Sequence, residues 1–152
     1  MKKLFLATFI LVALAFTASA QTEKGTKLLG GNAGFMSHDG NTQWNLSPEV
    51  GTFVKDNFAI GAFLDIMDFG DGSMTNLGAY VKPYFGKAEN GKMFAKAMLG
   101  SMDSDFSYGA GLGYAAFLNK SVALEFGANY DKIGDMKGMF GLGIGFQIHF
   151  KK

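Results

Sequence analysis

The chain has 152 residues, of which 48% are hydrophobic and 18% charged, a balance too apolar for a disordered chain and suited to one folded domain. Its 14 basic residues are all lysine and stand against 13 acids, so the basic footprint of a nucleic-acid binder is missing. Cysteine is absent, which excludes disulfides and thiolate metal or redox chemistry.

The first element in chain order is a leader. MKK supplies a positive start, LFLATFILVALAF an apolar run, and TASA places Ala18 and Ala20 for cleavage before Gln21. That pattern predicts a secretory signal peptide over residues 1–20. The run is short for a membrane-spanning helix of about 20 residues, and no cysteine follows it to carry a lipid anchor. Without Lys2 and Lys3, twelve lysines remain against thirteen acids, a net charge of −1. No later stretch holds the long unbroken apolar run that a transmembrane helix needs.

Residues 21–152 read as a single domain at period two, the strand period. Eight runs follow one another at 27–37, 42–53, 58–67, 75–85, 92–102, 105–117, 121–131 and 139–150. Turn clusters separate them: HDGN, VKDN, DFGDGS, GKAENG, DS, LNK and KIGDMK. None of these connections is long enough for a crossover helix, so consecutive strands are expected to be antiparallel.

Sorting each run by parity separates two faces. The third run puts Phe58, Ile60, Ala62, Leu64 and Ile66 opposite Ala59, Gly61, Phe63, Asp65 and Met67. The last sets Phe140, Leu142, Ile144, Phe146, Ile148 and Phe150 against Gly141, Gly143, Gly145, Gln147 and His149. In a soluble barrel the second face would meet water and carry many Lys, Glu, Thr and Ser residues. Here it is largely glycine, which covers nothing and weakens a strand. In a membrane barrel the apolar face meets lipid and the small or polar face fills a narrow bore. Glycine then makes room for Met36, Phe63, Tyr80, Tyr84 and Met98. The bilayer demands closure, which eight strands can supply. The expected fold is therefore all-β, an eight-stranded antiparallel up-and-down transmembrane β-barrel.

With both termini on the periplasmic side, outward Phe58, Phe85, Tyr114 and Phe150 fall near one rim. Phe35, Trp44, Phe106, Tyr130 and Phe140 fall near the other, the expected pair of aromatic girdles. Pro48 and Pro83 lie inside strands, where each deletes a ladder hydrogen bond; a bulge or a locally widened pair is expected near each.

The runs NLSPEVGTFVKDNFAIGAFLDI, LGAYVKPYF and YGAGLGYAAFLNKSVALEFGANYD, with the aromatic-ended last strand, resemble the small outer-membrane β-barrel family of OmpA/OmpX-like barrel domains. The resemblance covers essentially all of residues 21–152 and rests on the ensemble: SPxxGxF before a DN turn, the FLNKSVALE turn, and the terminal aromatic. It implies insertion among outer-membrane lipids by the barrel-assembly machinery after passage with periplasmic chaperones. It also implies that the segment around Phe146 and Phe150 is the assembly signal; here Lys151 and Lys152 follow it.

Glu49, Asp65, Lys82, Lys96 and Glu125 are the ionisable residues expected to point inward. Strand counting puts Glu49, Lys82, Lys96 and Glu125 at one height, with Gln147 beside them, so a charge-paired plug across the bore is expected. An ion pathway gated by the same network is the alternative. His38 and His149 are the only histidines, too far apart for a ligand cluster. Ser37 and His38 are neighbours and face opposite sides of a strand, so no catalytic triad forms around them. DFGDG lacks the spaced ligands of a calcium loop, and GLGIG and GAGLG precede no helix, so they are not phosphate loops. No cofactor and no enzymatic activity are expected. The predicted role is a structural or surface-interacting outer-membrane protein, working as a monomer. A small solute channel is the alternative, ahead of a secreted lipocalin-like carrier or a lipid-modifying barrel enzyme.

Overall fold

The structure, a computed structural model, describes residues 22–38, 41–68, 72–88, 90–102 and 104–151. The leader expected over 1–20 lies outside the described residues, as do parts of the HDGN, DFGDGS, GKAENG and DS turns.

Eight strands follow in order: β1 (Lys27–His38), β2 (Asn41–Lys55), β3 (Phe58–Asp68), β4 (Ser73–Phe85), β5 (Gly91–Met102), β6 (Asp105–Phe117), β7 (Val122–Ile133) and β8 (Met139–Phe150). Each pairs antiparallel with the next, and β8 returns to β1, from Lys27 opposite Phe150 to Ser37 opposite Phe140. The sheet thus closes with no edge strand, the condition for exposing a sheet to hydrocarbon.

Several strands run past the apolar alternation that marks them in sequence. Lys55 still pairs with Phe58 across the two-residue Asp56–Asn57 turn, and Ile133 pairs with Ser107. Asn57 takes the left-handed conformation there (φ 61), which asparagine tolerates better than most residues. Ser121 belongs to the β6–β7 turn instead of a strand. The Asn119 side chain accepts the amides of Ser121 and Val122 at 2.8 and 2.9 Å, an Asx turn that starts β7.

The two prolines interrupt ladders without displacing them. β2 pairs with β3 at Leu46–Ile66 and resumes at Glu49–Phe63 in the same register. β4 pairs with β5 at Val81–Ala97 and resumes at Tyr84–Phe94, again in register. Each proline therefore makes a local gap in the ladder. The bulge lies elsewhere, between Phe53 and Lys55, next to the tight turn.

Exposure decides which face points where. Leu77, Leu112 and Leu142 are 62%, 65% and 60% exposed, whereas Lys82 and Gln147 are each 1% exposed. The apolar face is outside and the polar face is inside, the reverse of a water-soluble barrel. No helix among the described residues is long and apolar enough to cross a membrane.

The bore is filled in layers. At the end carrying the chain termini, Leu28, Phe53, Tyr84, Phe94 and Phe117 form an apolar floor with three buried alanines. The segment before β1 is tied beneath it. Gly25 donates to the Phe53 carbonyl at 2.8 Å, Asn57 donates to the Thr22 carbonyl at 2.7 Å, and Lys92 Nζ donates to Thr22 Oγ1 and Asn57 Oδ1 at 2.7 and 2.5 Å. At the far end a second apolar layer is built from Met36, Met67, Met102, Ile133 and Met139, with Met74 and Met136 packed against it. Buried Glu49, Lys82, Lys96 and Glu125 lie between these two layers.

Candidate functional site in the barrel bore

Strand parity aims Glu49 of β2, Lys82 of β4, Lys96 of β5, Glu125 of β7 and Gln147 of β8 at one level above the floor. Lys82 Nζ lies 2.6 Å from Glu125 Oε2 and 3.2 Å from Glu49 Oε1. Lys96 Nζ lies 2.5 Å from the other Glu49 oxygen. Gln147 Nε2 also donates to Glu49 Oε1. The Tyr84 hydroxyl is within donating distance of Glu125 Oε1 (3.0 Å) and Gln147 Oε1 (3.1 Å), and His149 Nε2 sits 3.3 Å from that same Gln147 oxygen.

Two lysines and two glutamates make the layer neutral. Aromatic faces supply further partners for the ammonium groups: Lys82 Nζ is 4.5 Å from the Phe94 ring centroid, and Lys96 Nζ is 4.7 Å from that of Tyr80. All four charged side chains are buried, so each depends on these contacts to offset its lost hydration. The arrangement can obstruct the bore and hold opposite strands together. Its ligands come from β2, β4, β5, β7 and β8, on several sides of the barrel.

Asp65 is not among the groups joined in this layer. It accepts from Ser47 Oγ, which Asn45 Nδ2 approaches at 3.2 Å, in a second polar tier nearer the far end. There Asn129 donates to Asp131. Asn32, Asn45, Ser47, Asp65, Asn129 and Asp131 line part of a cavity of about 60 Å³. By size it can hold more than one water molecule. Asp131, which strand parity puts on the inward face at the end of the seventh run, is an inward acid beyond the five ionisable residues expected there. Sequence reasoning also did not assign Tyr84 and His149 to the charged layer. Their inward parity was visible, but their hydrogen-bond partners depend on the stagger between strands.

Tyr80 is also buried, and its hydroxyl has no hydrogen-bond partner among the described residues. A buried hydroxyl left unpaired costs free energy, and removing it relieves that cost. Tyr80→Phe should therefore leave the urea unfolding midpoint unchanged or raise it, as followed by the fluorescence of Trp44, the only tryptophan.

The aromatic residues expected at the rims occupy both ends of the outer wall. Phe35 stands opposite Trp44 and Tyr130 opposite Phe140 at the far end, with Phe106 on β6, and all five are exposed. At the near end Phe85 and Tyr114 flank Met93 and are exposed, whereas Phe58 and Phe150 are half-buried. Phe146 faces outward from β8 and is exposed.

A closed eight-stranded barrel with a polar bore and an apolar outer wall can be compared with solved structures. The N-terminal β-barrel domain of Pseudomonas aeruginosa OprF superposes with a TM-score of 0.68 at 10% identity, covering 84% of this chain and 98% of that one. The chain has the fold of the small outer-membrane β-barrels. Neisserial surface protein A shares that fold at a TM-score of 0.64 and 12% identity, covering 84% of this chain and 98% of its own. A de novo designed transmembrane β-barrel superposes at 0.66 with 13% identity, covering 84% and 99%. No protein-family model and no curated protein sequence matches the chain. At these identities the likeness is one of small-barrel architecture, carried by alternation and closure more than by shared residues.

Proposed function

We propose that the chain is an integral outer-membrane protein with a structural or surface-interaction role, its bore closed by its own side chains. The observation that carries this reading is the layer of Glu49, Lys82, Lys96, Glu125 and Gln147, buried across the bore beneath an outer wall of exposed apolar residues. An eight-stranded barrel has an interior that side chains can fill, and here apolar layers lie on both sides of the polar one. On this reading the leader at 1–20 exports the chain, and periplasmic chaperones and the barrel-assembly machinery deliver it, with Phe146 and Phe150 in the assembly signal. It then sits in outer-membrane lipid as a monomer. The role is structural, not catalytic.

The test has two steps. The outer-membrane fraction run in SDS without boiling should show a faster band that shifts on heating. The purified folded barrel should then give no steady conductance in planar bilayers. Steady unitary conductance would overturn the plugged reading in favour of a small solute channel. Recovery in the soluble periplasmic fraction would overturn membrane integration itself.

A further inference from the structure

The methionines are segregated within the bore. Eight methionines lie among the described residues, and only Met93 points outward, 53% exposed. Met36, Met67, Met102 and Met139 are buried in the far-end layer, with Met74 and Met136 packed against them and Ile133 as the sole aliphatic partner. They come from β1, β3, β4, β5, β8 and the β7–β8 turn, so methionines from several sides of the barrel meet in one layer. The opposite apolar layer, of similar purpose and geometry, contains no methionine; it uses Leu, Phe, Tyr and Ala.

From this segregation we infer that the far-end layer is a binding site for one soft monovalent cation, Cu(I) or its stable analogue Ag(I). Thioether sulfur is a neutral, soft donor that selects such ions over hard ones, whose water it cannot replace. A neutral cage leaves the charge of the ion to be balanced nearby. Met36, Met67 and Met98 share the wall of the polar cavity with Asp65 and Asp131, so carboxylates border the same cavity as these methionines. Lys82 and Lys96, on the far side of that cavity, are each paired with Glu49 and stop a cation from passing further. Met74 and Met136 are only partly buried, at the solvent-facing side of the layer. The arrangement is a blind soft-cation seat above a plug.

Methionine is also a filler of irregular cores, and leucine substitution separates the two roles. Met→Leu keeps volume and apolarity and usually costs little stability, but it removes the sulfur. The folded barrel in detergent micelles is titrated with Ag(I) by calorimetry. It is also titrated with Cu(I), kept reduced without oxygen, against a chromophoric chelator. Carbon-13-labelled methionine methyls are followed by NMR in parallel. One equivalent should bind, with shifts at the Met36, Met67, Met102 and Met139 methyls and none at Met93. Sodium and calcium should produce no such shifts. The combined M36L, M67L and M102L variant, checked as folded by its gel shift, should lose saturable binding because most of its soft donors are gone, and M93L should bind as the parent does. Absence of saturable binding by the unsubstituted barrel, binding unchanged in the triple variant, or shifts at Met93 equal to those in the cage would overturn the site. If the triple variant does not fold, the methyl shifts of the unsubstituted barrel decide the matter.

Discussion

Replacing Lys82 by alanine should lower the unfolding free energy of the barrel by about 3–5 kcal/mol, the cost of stripping one partner from a buried ion pair. Lys82 is 1% exposed, and its ammonium bridges carboxylates on two strands, β2 and β7. Removing it leaves Glu125 with only the Tyr84 hydroxyl among the hydrogen bonds described above, and Glu49 with Lys96 and Gln147. Glu125 then holds an uncompensated charge in a bore closed by apolar layers. Urea titration of the folded barrel in micelles measures the loss. Lys96→Ala should be destabilising as well, but less so, because among the described residues Lys96 forms an ion pair with one carboxylate, that of Glu49, where Lys82 bridges two. The loss should shrink when one charge of each sign is removed together. Lys82→Met combined with Glu125→Gln leaves the Glu49–Lys96 pair in place and should recover much of the loss, since a buried ion pair contributes little net stability against apolar or neutral replacements. Midpoints unchanged in both Lys82→Ala and Lys96→Ala would remove the plug as a structural element.

A comparable loss is expected from a substitution that adds atoms. Gly78 on β4 stands opposite Phe63 on β3. A Cβ at Gly78 would lie 2.6 and 2.7 Å from Phe63 Cζ and Cε1 and would also collide with the Leu99 carbonyl oxygen. Phe63 is 3% exposed, its ring packed inside the bore. Gly78→Val should therefore cost about 3 kcal/mol or more, the upper end for overpacking, or prevent folding altogether. Gly143 on β8 is the control. A Cβ there would meet Ala33 O at 3.4 Å and the Gly34 Cα at 3.8 Å, ordinary contact distances. Gly143→Ala should fold with a midpoint close to that of the parent. Adding Phe63→Leu to Gly78→Val should restore part of the loss but not all, because the clash with the Leu99 carbonyl remains. Equal tolerance of Gly78→Val and Gly143→Ala would mean that glycine is not placed to seat the inward rings.

These two experiments mark what could and could not be seen in sequence. Parity alone put Phe63 and Lys82 inside and Leu77 and Leu142 outside, because a side-chain period of two leaves only one choice once the lipid face is recognised. Strand ends were legible to within a few residues, since turn clusters such as DN and LNK break the alternation. Height within the bore was less legible. Counting from strand ends puts Lys82, Lys96, Glu49, Glu125 and Gln147 at similar levels. It does not give the stagger between strands, and that stagger leaves Asp65 in a tier with Ser47 and Asp131. The methionine layer was hidden for the same reason. Met36, Met67, Met102 and Met139 are scattered along the chain, and only the register of β1, β3, β5 and β8 gathers them. Partner choice also depends on rotamers that composition does not fix, so Tyr84 and His149 could be placed inside without being assigned to the charged layer.

The seam between β1 and β8 has a kinetic consequence. Lys151 and Glu23, whose side chains meet at 3.1 Å, are 128 residues apart in the chain. They flank β1 and β8, whose pairing closes almost the whole chain into one loop and so carries the largest loop-closure cost of any strand pair. A chain still being made, or one with its last strand missing, has two open edges whose amides find no partners in hydrocarbon. Partial barrels therefore gain little from the bilayer, and the slow search for a distant partner falls at the end of folding. The barrel should form late and all at once, long after the first strand has left the ribosome. Until then the chain must be kept soluble with its apolar faces unburied.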